Sequence, residues 1–561
     1  MTISHGRAEA SAGRAVAIPE PADEMRADSA WTTFAATPLE YVATDDEQTT
    51  ITEVLTRRAD LTPDAVFVSF EGMKVTFGEF KHRAEQAGAA LAYAGISRGD
   101  KVAVMLPNSL EFLDLWFGSA LLGAVLVPIN TGLRGAGLAH VLTHSDSALL
   151  VAEGELVAEC EKVLDSGAGP RLRYARGAGS DWDCAHTWLR GSYQPAVPEA
   201  VTPGDVASIL YTSGTTGPSK GVVNCHNAFA VAANEFCRRH VEIRSDDVLY
   251  TSLPLFHVNA QMLSVMGAMV SGRPLVLAPR FRASGILDDL RGHGATIFNY
   301  IGAMLTMIAK QPIREDDAAN PARLAIGGAA PAQLWKEFER RFALSIVEIY
   351  GLTETATFCL GSPPADVRVG KVGRSVSWAD VRIEASDGAE QNDGQPGEVV
   401  IRSKRDNVMF SGYYKDPEAT ARAMSGGWFH TGDRGRRDES GYFEFIDRIK
   451  DIIRRRGENI SSFEVERVVN SHDAVTESAV VGVPSDLGEE DVLAVVVPAN
   501  GSRIDPGELI DFCRERLGAY MVPRYVRVVD TLPRTATERI QKYILRNEAR
   551  SEPMWDREAG A

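Results

Sequence analysis

Apolar and polar positions follow two different periods along the chain, and together they predict a layered α/β protein. Between residues 60 and about 440, short apolar runs such as Lys101–Met105 and Val206–Leu210 are typical of buried strands, whereas Ser109–Leu122 and Pro331–Phe342 have the spacing of helices. Strands that alternate with helices predict sheets covered by helices. We therefore expect one large N-terminal domain of α/β layers.

The pattern changes after Pro396. Gly397–Arg402 and Gly441–Ile446 alternate apolar and polar residues, which indicates antiparallel strands of a small β-barrel-like part. The remaining C-terminal residues mix such strands with short helices and predict a compact α+β unit. The predicted organisation is a mobile tail over residues 1–45, the large domain over 46–449 and the C-terminal domain over 450–561.

Composition excludes several classes of protein. With 44% hydrophobic and 24% charged residues, the chain resembles an average soluble globular protein. A net charge of −17 argues against binding to a nucleic-acid backbone. The most membrane-like stretch, Leu115–Ile129, is too short to span a bilayer and contains Pro128. Six cysteines without a CxxC pair, and no signal peptide, predict a cytoplasmic protein with reduced thiols.

The segment Thr212-Ser-Gly-Thr-Thr-Gly-Pro-Ser-Lys-Gly221 is the most informative part of the chain. Its glycines let the backbone approach an anion, its hydroxyls add donors, and Lys220 adds a positive charge. It follows a predicted strand, where phosphate loops occur, but the residue after Lys220 is Gly221, so it is not a Walker loop. The alternative is a flexible linker.

This segment resembles the signature loop of the adenylate-forming superfamily, which comprises acyl-CoA synthetases, peptide-synthetase adenylation domains and luciferases. Further motifs of that superfamily follow in order along the chain. They are the aromatic motif before the acyl pocket (Leu253–His257), the loop that packs on adenine (Ile326–Pro331), the phosphate and magnesium motif (Tyr350–Glu354), the ribose motif (Gly427–Asp433), and the hinge with its following loop (Asp447–Asp451 and Gly457–Ser461).

The resemblance implies a reaction in two halves. A carboxylate attacks the α-phosphorus of ATP and gives an acyl adenylate; the C-terminal domain then rotates about the hinge, and the thiol of coenzyme A attacks the acyl carbon. ATP, AMP as the acyl adenylate, Mg²⁺ and coenzyme A are the implied ligands. The implied catalytic residues are Thr353, Glu354 (also the metal ligand), Lys450 and Arg539. The implied nucleotide and phosphate contacts are Thr212, Ser213, Gly214, Thr215, Thr216, Lys220, Gly328, Ala329, Tyr350, Gly351, Asp433 and Arg448.

The acyl group is expected to be uncharged and hydrophobic or aromatic. Domains that activate amino acids place an aspartate after the aromatic motif, whereas this chain has Phe256-His-Val-Asn259. The predicted acyl pocket consists of His257, Val258, Met262, Tyr300, Ile301, Ala303, Met304 and Phe358. The alternative for each of them is an ordinary position in the core.

The acceptor is expected to be free coenzyme A. The basic triplet Arg454–Arg456 matches the phosphates of that thiol, because guanidinium groups donate forked hydrogen bonds. The predicted coenzyme A contacts are Arg454, Arg455, Arg456, Gly457 and Glu458. The alternative is a solvated hairpin.

One motif departs from the superfamily. Leu532–Lys542 resembles its last motif, PRTxxGKIxK, but Arg539 stands where the first lysine binds the carboxylate and α-phosphate during adenylation, and Glu538 replaces the preceding glycine. We consider three hypotheses: a ligase with impaired adenylation that uses an adenylate from a partner ligase, a complete ligase in which Arg539 does the lysine's work, and a non-catalytic ligand sensor.

Overall fold

The structure is a computed structural model of the 561-residue chain. The residues that it describes are 39–44, 47–164, 169–177, 182–194, 200–212, 219–455, 458–485, 489–499, 501–534, 540–549 and 551–559.

Two large sheets form the centre of the N-terminal domain. Among the described residues, one sheet has nine strands, in the spatial order β16 (Arg374–Ser375), β15 (Leu360–Gly361), β14 (Ser345–Tyr350), β13 (Leu324–Gly328), β12 (Ile297–Ile301), β10 (Leu249–Thr251), β11 (Leu275–Leu277), β1 (Val66–Phe70) and β2 (Met73–Thr76). In the same described part, the other has seven, in the order β7 (Asp183–Cys184), β6 (Leu172–Arg176), β5 (Ser147–Glu153), β3 (Lys101–Met105), β4 (Val125–Pro128), β8 (Val206–Thr212) and β9 (Lys220–Cys225).

Helices cover these sheets, as the sequence predicts. The predicted helix Ser109–Leu122 is α3, whose residues are buried on all sides because they are apolar almost throughout, and the Ser109 hydroxyl caps it by accepting from Phe112 N. In the described chain the helices are α1 (Ile51–Leu61), α2 (Phe77–Tyr93), α3 (Leu110–Leu121), α4 (Gly135–His144), α5 (Val157–Leu164), α6 (Ala185–Leu189), α7 (His226–Glu235), α8 (Met266–Ser271), α9 (Ile286–His293), α10 (Gly302–Ala309), α11 (Ala332–Phe342), α12 (Pro417–Ala423), α13 (Ser462–Asn470), α14 (Pro506–Arg514) and α15 (Lys542–Glu548).

The antiparallel and C-terminal parts are separate sheets. The first contains β17 (Ala379–Glu384), β18 (Gly397–Ser403), β19 (Met424–Ser425), β20 (Trp428–Arg437) and β21 (Phe443–Arg448). Beyond it lie the hairpin β22 (Ile453–Arg455) and β23 (Glu458–Ile460), and a sheet of β24 (Val475–Pro484), β25 (Glu490–Pro498), β26 (Tyr525–Val528) and β27 (Trp555–Asp556). This C-terminal sheet has an apolar cluster on each face. The predicted fold class is confirmed.

The arrangement of the nine-stranded sheet brings several predicted motifs to one edge. Strands β10, β12, β13 and β14 are parallel, with Ile301 beside Gly328 and Gly327 beside Glu348. Their carboxyl ends therefore lie at a common edge, which is where open α/β sheets bind ligands.

The predicted tail needs one correction. Residues 1–38 and 45–46 lie outside the described residues, but residues 39–44 pack on the large domain. Val42 and Ala43 are buried, and Val42 N donates to Val270 O (3.2 Å), because this short segment covers an apolar surface beside α8. Within the described residues, no helix is long and apolar enough to cross a membrane.

Candidate active site

The predicted adenine loop is held by a buried carboxyl group. Ala329 has a left-handed φ of 66°, and a Cβ on Gly302 would lie 1.8 Å from the Ala329 carbonyl oxygen, so the two segments approach closely. Glu348 accepts hydrogen bonds from the backbone N–H groups of Ala329 (2.8 Å) and Ala330 (3.1 Å). Burial raises the pKa of Glu348 to about 8, although both N–H groups oppose this. Glu348 thereby fixes the loop that begins at Gly328.

Asp433 lies at the centre of a second polar cluster. The Tyr350 hydroxyl donates to Asp433 Oδ2 (2.7 Å), and Arg448 Nε lies 3.1 Å from Asp433 Oδ1. Burial and then the Asp433 carboxylate raise the pKa of Tyr350 well above its ordinary value, so the hydroxyl remains a donor. The structure thus brings together three residues that the sequence assigned to nucleotide binding, from β14, β20 and β21.

A third cluster surrounds Glu354, which is 8% exposed. It lies in the short 3₁₀ helix Thr353–Thr355, and its Oε1 accepts from the Tyr413 hydroxyl (2.9 Å). Lys220 Nζ lies over the Tyr413 ring, 4.6 Å from its centroid. Tyr413 therefore connects Glu354 to the base of the predicted phosphate loop.

The phosphate loop itself connects two antiparallel strands. Thr212 is paired with Lys220 across β8 and β9. Ser213, Gly214, Thr215 and Thr216 lie outside the described residues.

The predicted acyl-pocket residues lie near the same sheet edge. His257 and Val258 are partly buried, Met262, Tyr300, Met304 and Phe358 are buried, and Ile301 is 37% exposed. The Thr357 hydroxyl donates to Met262 Sδ (3.2 Å) and to Val258 O (3.4 Å), which joins two segments of this group. The Tyr300 hydroxyl donates instead to Val347 O (3.3 Å) of β14. The side chain of Ala303 lies outside the description.

The segment after Glu354 has an unusual backbone. Ala356 and Thr357 both have positive φ, 48° and 79°. This conformation is costly for a β-branched residue and occurs mainly at functional sites. A Cβ on Gly351 would lie 2.3 Å from Phe358 Cα, so the strained segment packs directly against the predicted phosphate motif.

The predicted coenzyme A residues divide into two groups. The Arg454 side chain is 54% exposed and lies 3.4 Å from Glu489. Arg455 is buried, pairs with Asp491 (2.9 Å) and donates to Tyr520 O and Val522 O. A guanidinium with these partners is engaged inside the C-terminal domain, which disfavours a contact with a ligand phosphate, and the role of Arg455 stays a prediction. Arg456, Gly457 and the side chain of Glu458 lie outside the described residues.

The hinge and the last motif are described in part. Lys450 lies in the 3₁₀ turn Ile449–Asp451, but its side chain is outside the description, as are Glu538 and Arg539. Lys542, in contrast, is well enclosed: its Nζ lies 2.8 Å from Glu466 Oε1 and 2.6 Å from Ser462 Oγ. Burial alone would lower the pKa of Lys542, but the Glu466, Asp447 and Asp451 carboxylates raise it.

Three residues that act on the predicted motifs, Tyr413, Glu348 and Glu466, were not predicted from the sequence. Each acts on a predicted motif through a contact between separate segments, and no local pattern marks Tyr413 or Glu466. For Glu348 alone a signal existed, because a charged residue inside an apolar strand usually has a specific partner.

Comparison with known proteins extends over both parts of the chain. The family described as AMP-binding enzyme matches residues 55–414, and the AMP-binding enzyme C-terminal domain matches residues 464–539. Crotonobetaine/carnitine–CoA ligase of Salmonella typhi is 32% identical over 85% of this chain and 94% of its own. Sulfoacetate–CoA ligase of Cupriavidus necator is 32% identical over 89% and 98%.

Solved structures agree with these relatives. An anthranilate CoA ligase in complex with anthranoyl-AMP has a TM-score of 0.82 and 25% identity, over 90% of this chain and 98% of its own. The o-succinylbenzoate CoA synthetase of Bacillus subtilis, in complex with its acyl-adenylate intermediate, has a TM-score of 0.78 and 27% identity, over 89% and 98%. The chain therefore belongs to the AMP-binding enzyme family and is an acid–thiol ligase of the adenylate-forming acyl-CoA synthetase superfamily.

Proposed function

We propose that this ligase chiefly catalyses the second half-reaction, in which an acyl adenylate supplied by a partner ligase reacts with coenzyme A. The observation that carries the proposal is the pairing of Lys542 with Glu466, because it engages the lysine that follows Arg539 by three residues in the last motif and so keeps that lysine from replacing the missing one. The ligand-sensor hypothesis is set aside, since the chain is a ligase.

Asp433 would bind the ribose hydroxyls of the adenylate. Its two carboxylate oxygens suit a vicinal diol, and Tyr350 and Arg448 hold it in a fixed orientation. The loop at Gly328 and Ala329, fixed by Glu348, would form one wall of the adenine site. Gly351 and Thr353 would lie beside the α-phosphate.

The Glu354 carboxylate fits a magnesium ion. Mg²⁺ prefers carboxylate and phosphate oxygens, and Glu354 is a nearly buried carboxylate that a tyrosine hydroxyl orients on the phosphate-loop side. When bound, the ion neutralises charge on the nucleotide phosphates. Lys220, with Thr212 and the loop residues Ser213, Gly214, Thr215 and Thr216, would bind the same phosphates.

Thioester formation requires little from the protein beyond orientation. The sulfur of coenzyme A forms a bond to the acyl carbon, the bond from that carbon to the adenylate oxygen breaks, AMP leaves with the electron pair, and the thiol proton passes to solvent. The protein contributes by positioning the two reactants. Arg454 would meet a phosphate of coenzyme A, and rotation about Lys450 would present it.

Adenylation makes a different demand. Lysine carries a compact charge, whereas guanidinium is a broad plane with its charge spread over three nitrogens. A misplacement of about 1 Å can lower a rate by on the order of 10²-fold. Arg539 would therefore bridge the carboxylate and α-phosphate poorly, and Glu538 would compete for its charge. Thioester formation would be unaffected, because in the superfamily this position withdraws when the C-terminal domain rotates.

A second candidate, a complete ligase, rests on composition. The chain is much richer in arginine than in lysine, so a lysine could have been replaced without loss. Two assays separate the proposed function from the complete ligase. In the first, a panel of carboxylic acids is incubated with ATP and coenzyme A, and both pyrophosphate and acyl-CoA are measured. In the second, the same acids are supplied as adenylates. The proposal predicts acyl-CoA from the adenylates and little pyrophosphate from the acids. Ordinary turnover of about 1–10³ s⁻¹ with free acids would favour the complete ligase.

A further inference from the structure

Two asparagine side chains meet beside residues of the predicted acyl pocket, next to Val258 and Tyr300 in the chain. Asn299 Nδ2 donates to Asn259 Oδ1 (2.7 Å), and Asn299 is only 1% exposed. Asn259 begins a π-helical segment, Asn259–Val265. Such segments are rare and occur frequently at functional sites.

Asn299 has one amide atom without a partner. Its Oδ1 is buried and accepts no hydrogen bond from the part of the chain that is described. Leaving a buried acceptor unpaired is costly, so such a group in a native fold needs an explanation. A ligand that donates a hydrogen bond to Asn299 Oδ1 would provide one.

The position of Asn299 suits a contact with the end of the acyl group that is farthest from the carboxylate. On β12, Asn299 and Ile301 share a face, since side chains alternate along a strand. Ile301 is 37% exposed and lies beside Gly328 at the sheet edge, whereas Asn299 lies two residues deeper, beside Ile326. At about 3.3 Å per residue the difference in depth is roughly 7 Å. That is comparable to the length of one substituted aromatic ring.

The other residues of the predicted pocket are mainly apolar, but one of them, Met262, takes part in a hydrogen bond. Met262, one helical turn beyond Asn259, accepts from the hydroxyl of Thr357, whose φ is positive. The strained segment and the π-helical turn are thus in direct contact. Both are features that the fold retains at a cost.

We infer that the acyl substrate carries a hydroxyl group remote from its carboxylate, and that this hydroxyl donates to Asn299 Oδ1. The inference rests on the proposed function and names its substrate class: ring-sized, otherwise apolar hydroxy acids. An uncharged hydroxyl matches two uncharged amides, whereas a buried ammonium or carboxylate would require a charged partner. Asn299 is then a specificity residue, and Asn259 positions its amide.

The test uses chemically prepared adenylates, so that it does not depend on adenylation. The probes are 4-hydroxybenzoyl-AMP, 3-hydroxybenzoyl-AMP, benzoyl-AMP and 4-methylbenzoyl-AMP; the readouts are the binding constant and kcat/KM for acyl-CoA formation. We expect one hydroxylated adenylate to exceed both the unsubstituted and the methyl adenylate by about 10- to 100-fold, the range that corresponds to an unpaired buried acceptor.

Variants connect this preference to the residue. Asn299→Leu should abolish or reverse the ratio between hydroxylated and methyl adenylates, and a folding defect cannot mimic this because it lowers both values equally. Asn470→Leu is the matched control: Asn470 Oδ1 is also buried without a hydrogen bond to any described group, but it lies on α13 of the C-terminal domain. Its ratio should equal that of the wild type.

The outcomes distinguish the two levels of the proposal. Acyl-CoA formation from all four adenylates without a hydroxyl preference, or a preference that Asn299→Leu leaves intact, overturns the inference and leaves the proposed function standing. Failure of every adenylate to bind or to yield acyl-CoA overturns the proposed function and the inference together.

Discussion

The Tyr413 hydroxyl lies 2.9 Å from Glu354 Oε1, while the ring of the same tyrosine faces the Lys220 ammonium at 4.6 Å. One side chain thus orients both the predicted magnesium ligand and the lysine of the phosphate loop. Burial, with the Glu354 carboxylate next, raises the pKa of Tyr413 far above its ordinary value, so the hydroxyl donates throughout the working pH range.

Tyr413→Phe should therefore weaken the binding of Mg²⁺-ATP more than that of ATP alone. The loss should be about 1.5–3 kcal/mol, as for a hydrogen bond to a charged group. Tyr414→Phe is the control, because Tyr414 also donates to a carboxylate, Asp146 (2.8 Å), but at the exposed end of α4. Calorimetry on both variants measures the difference; an equal effect of the two substitutions would remove Tyr413 from the magnesium site.

Asp433→Ala should weaken acyl-adenylate binding by about 1.5–3 kcal/mol, since the ribose hydroxyls lose a charged acceptor. Asp366→Ala removes a carboxylate that also pairs with an arginine, Arg374 (3.1 Å), but on the exposed surface. The dissociation constant of Asp366→Ala for the acyl adenylate should stay at the wild-type value. An unchanged constant for Asp433→Ala would exclude Asp433 from ribose binding.

Lys450→Pro should stop one half-reaction and spare the other. Proline fixes φ and restricts the preceding residue, Ile449, so the 3₁₀ turn Ile449–Asp451 would keep one conformation. Lys450→Ala keeps the backbone freedom, so the rates of its two half-reactions should differ from each other far less than in the proline variant. The adenylation rate is measured with ATP, and the thioester-forming rate is measured with supplied acyl adenylate. If the proline variant retains both rates equally, the hinge lies elsewhere.

Glu348 should make stability depend on pH. Its pKa is about 8 in the folded state against an ordinary 4.5, so the neutral carboxyl stabilises the fold at low pH, and that stabilisation is lost as pH rises from 4.5 through 8. Each unit of difference corresponds to about 1.4 kcal/mol. The Tm of the wild type should thus fall relative to that of Glu348→Gln across this window. Parallel curves for the two proteins would contradict the assignment.

The sequence predicts the fold and the sites unequally well. The helix at Ser109 and the strand Lys101–Met105 end within a residue of their predicted limits, because the extent of an apolar run and a capping residue are local properties. Arg455 shows the opposite case. Its triplet has the composition of a phosphate site, but its partner Asp491 comes from β25, and only the packed fold reveals that pair.

Asn259 shows which contact beside the predicted acyl pocket the sequence does not reveal. Its position in the sequence indicates the lack of an acid and hence an uncharged substrate. Its partner Asn299 is 40 residues away, so the polar pair exists only through the contact between the π-helical turn and β12. A pattern of local residues cannot identify such a pair.

The central claim concerns Arg539, and pyrophosphate release by the wild type and by Arg539→Lys tests it most directly. With ATP and an accepted acid, the wild type should release little pyrophosphate, while it converts the corresponding adenylate to acyl-CoA at an ordinary rate. Arg539→Lys should raise pyrophosphate release by orders of magnitude, since a compact charge can again bridge the carboxylate and α-phosphate, and it should leave the thioester step nearly unchanged. Adding Glu538→Gly should raise the release further if the loop needs the freedom of glycine. Rapid pyrophosphate release by the wild type, or no gain in Arg539→Lys, would contradict the account.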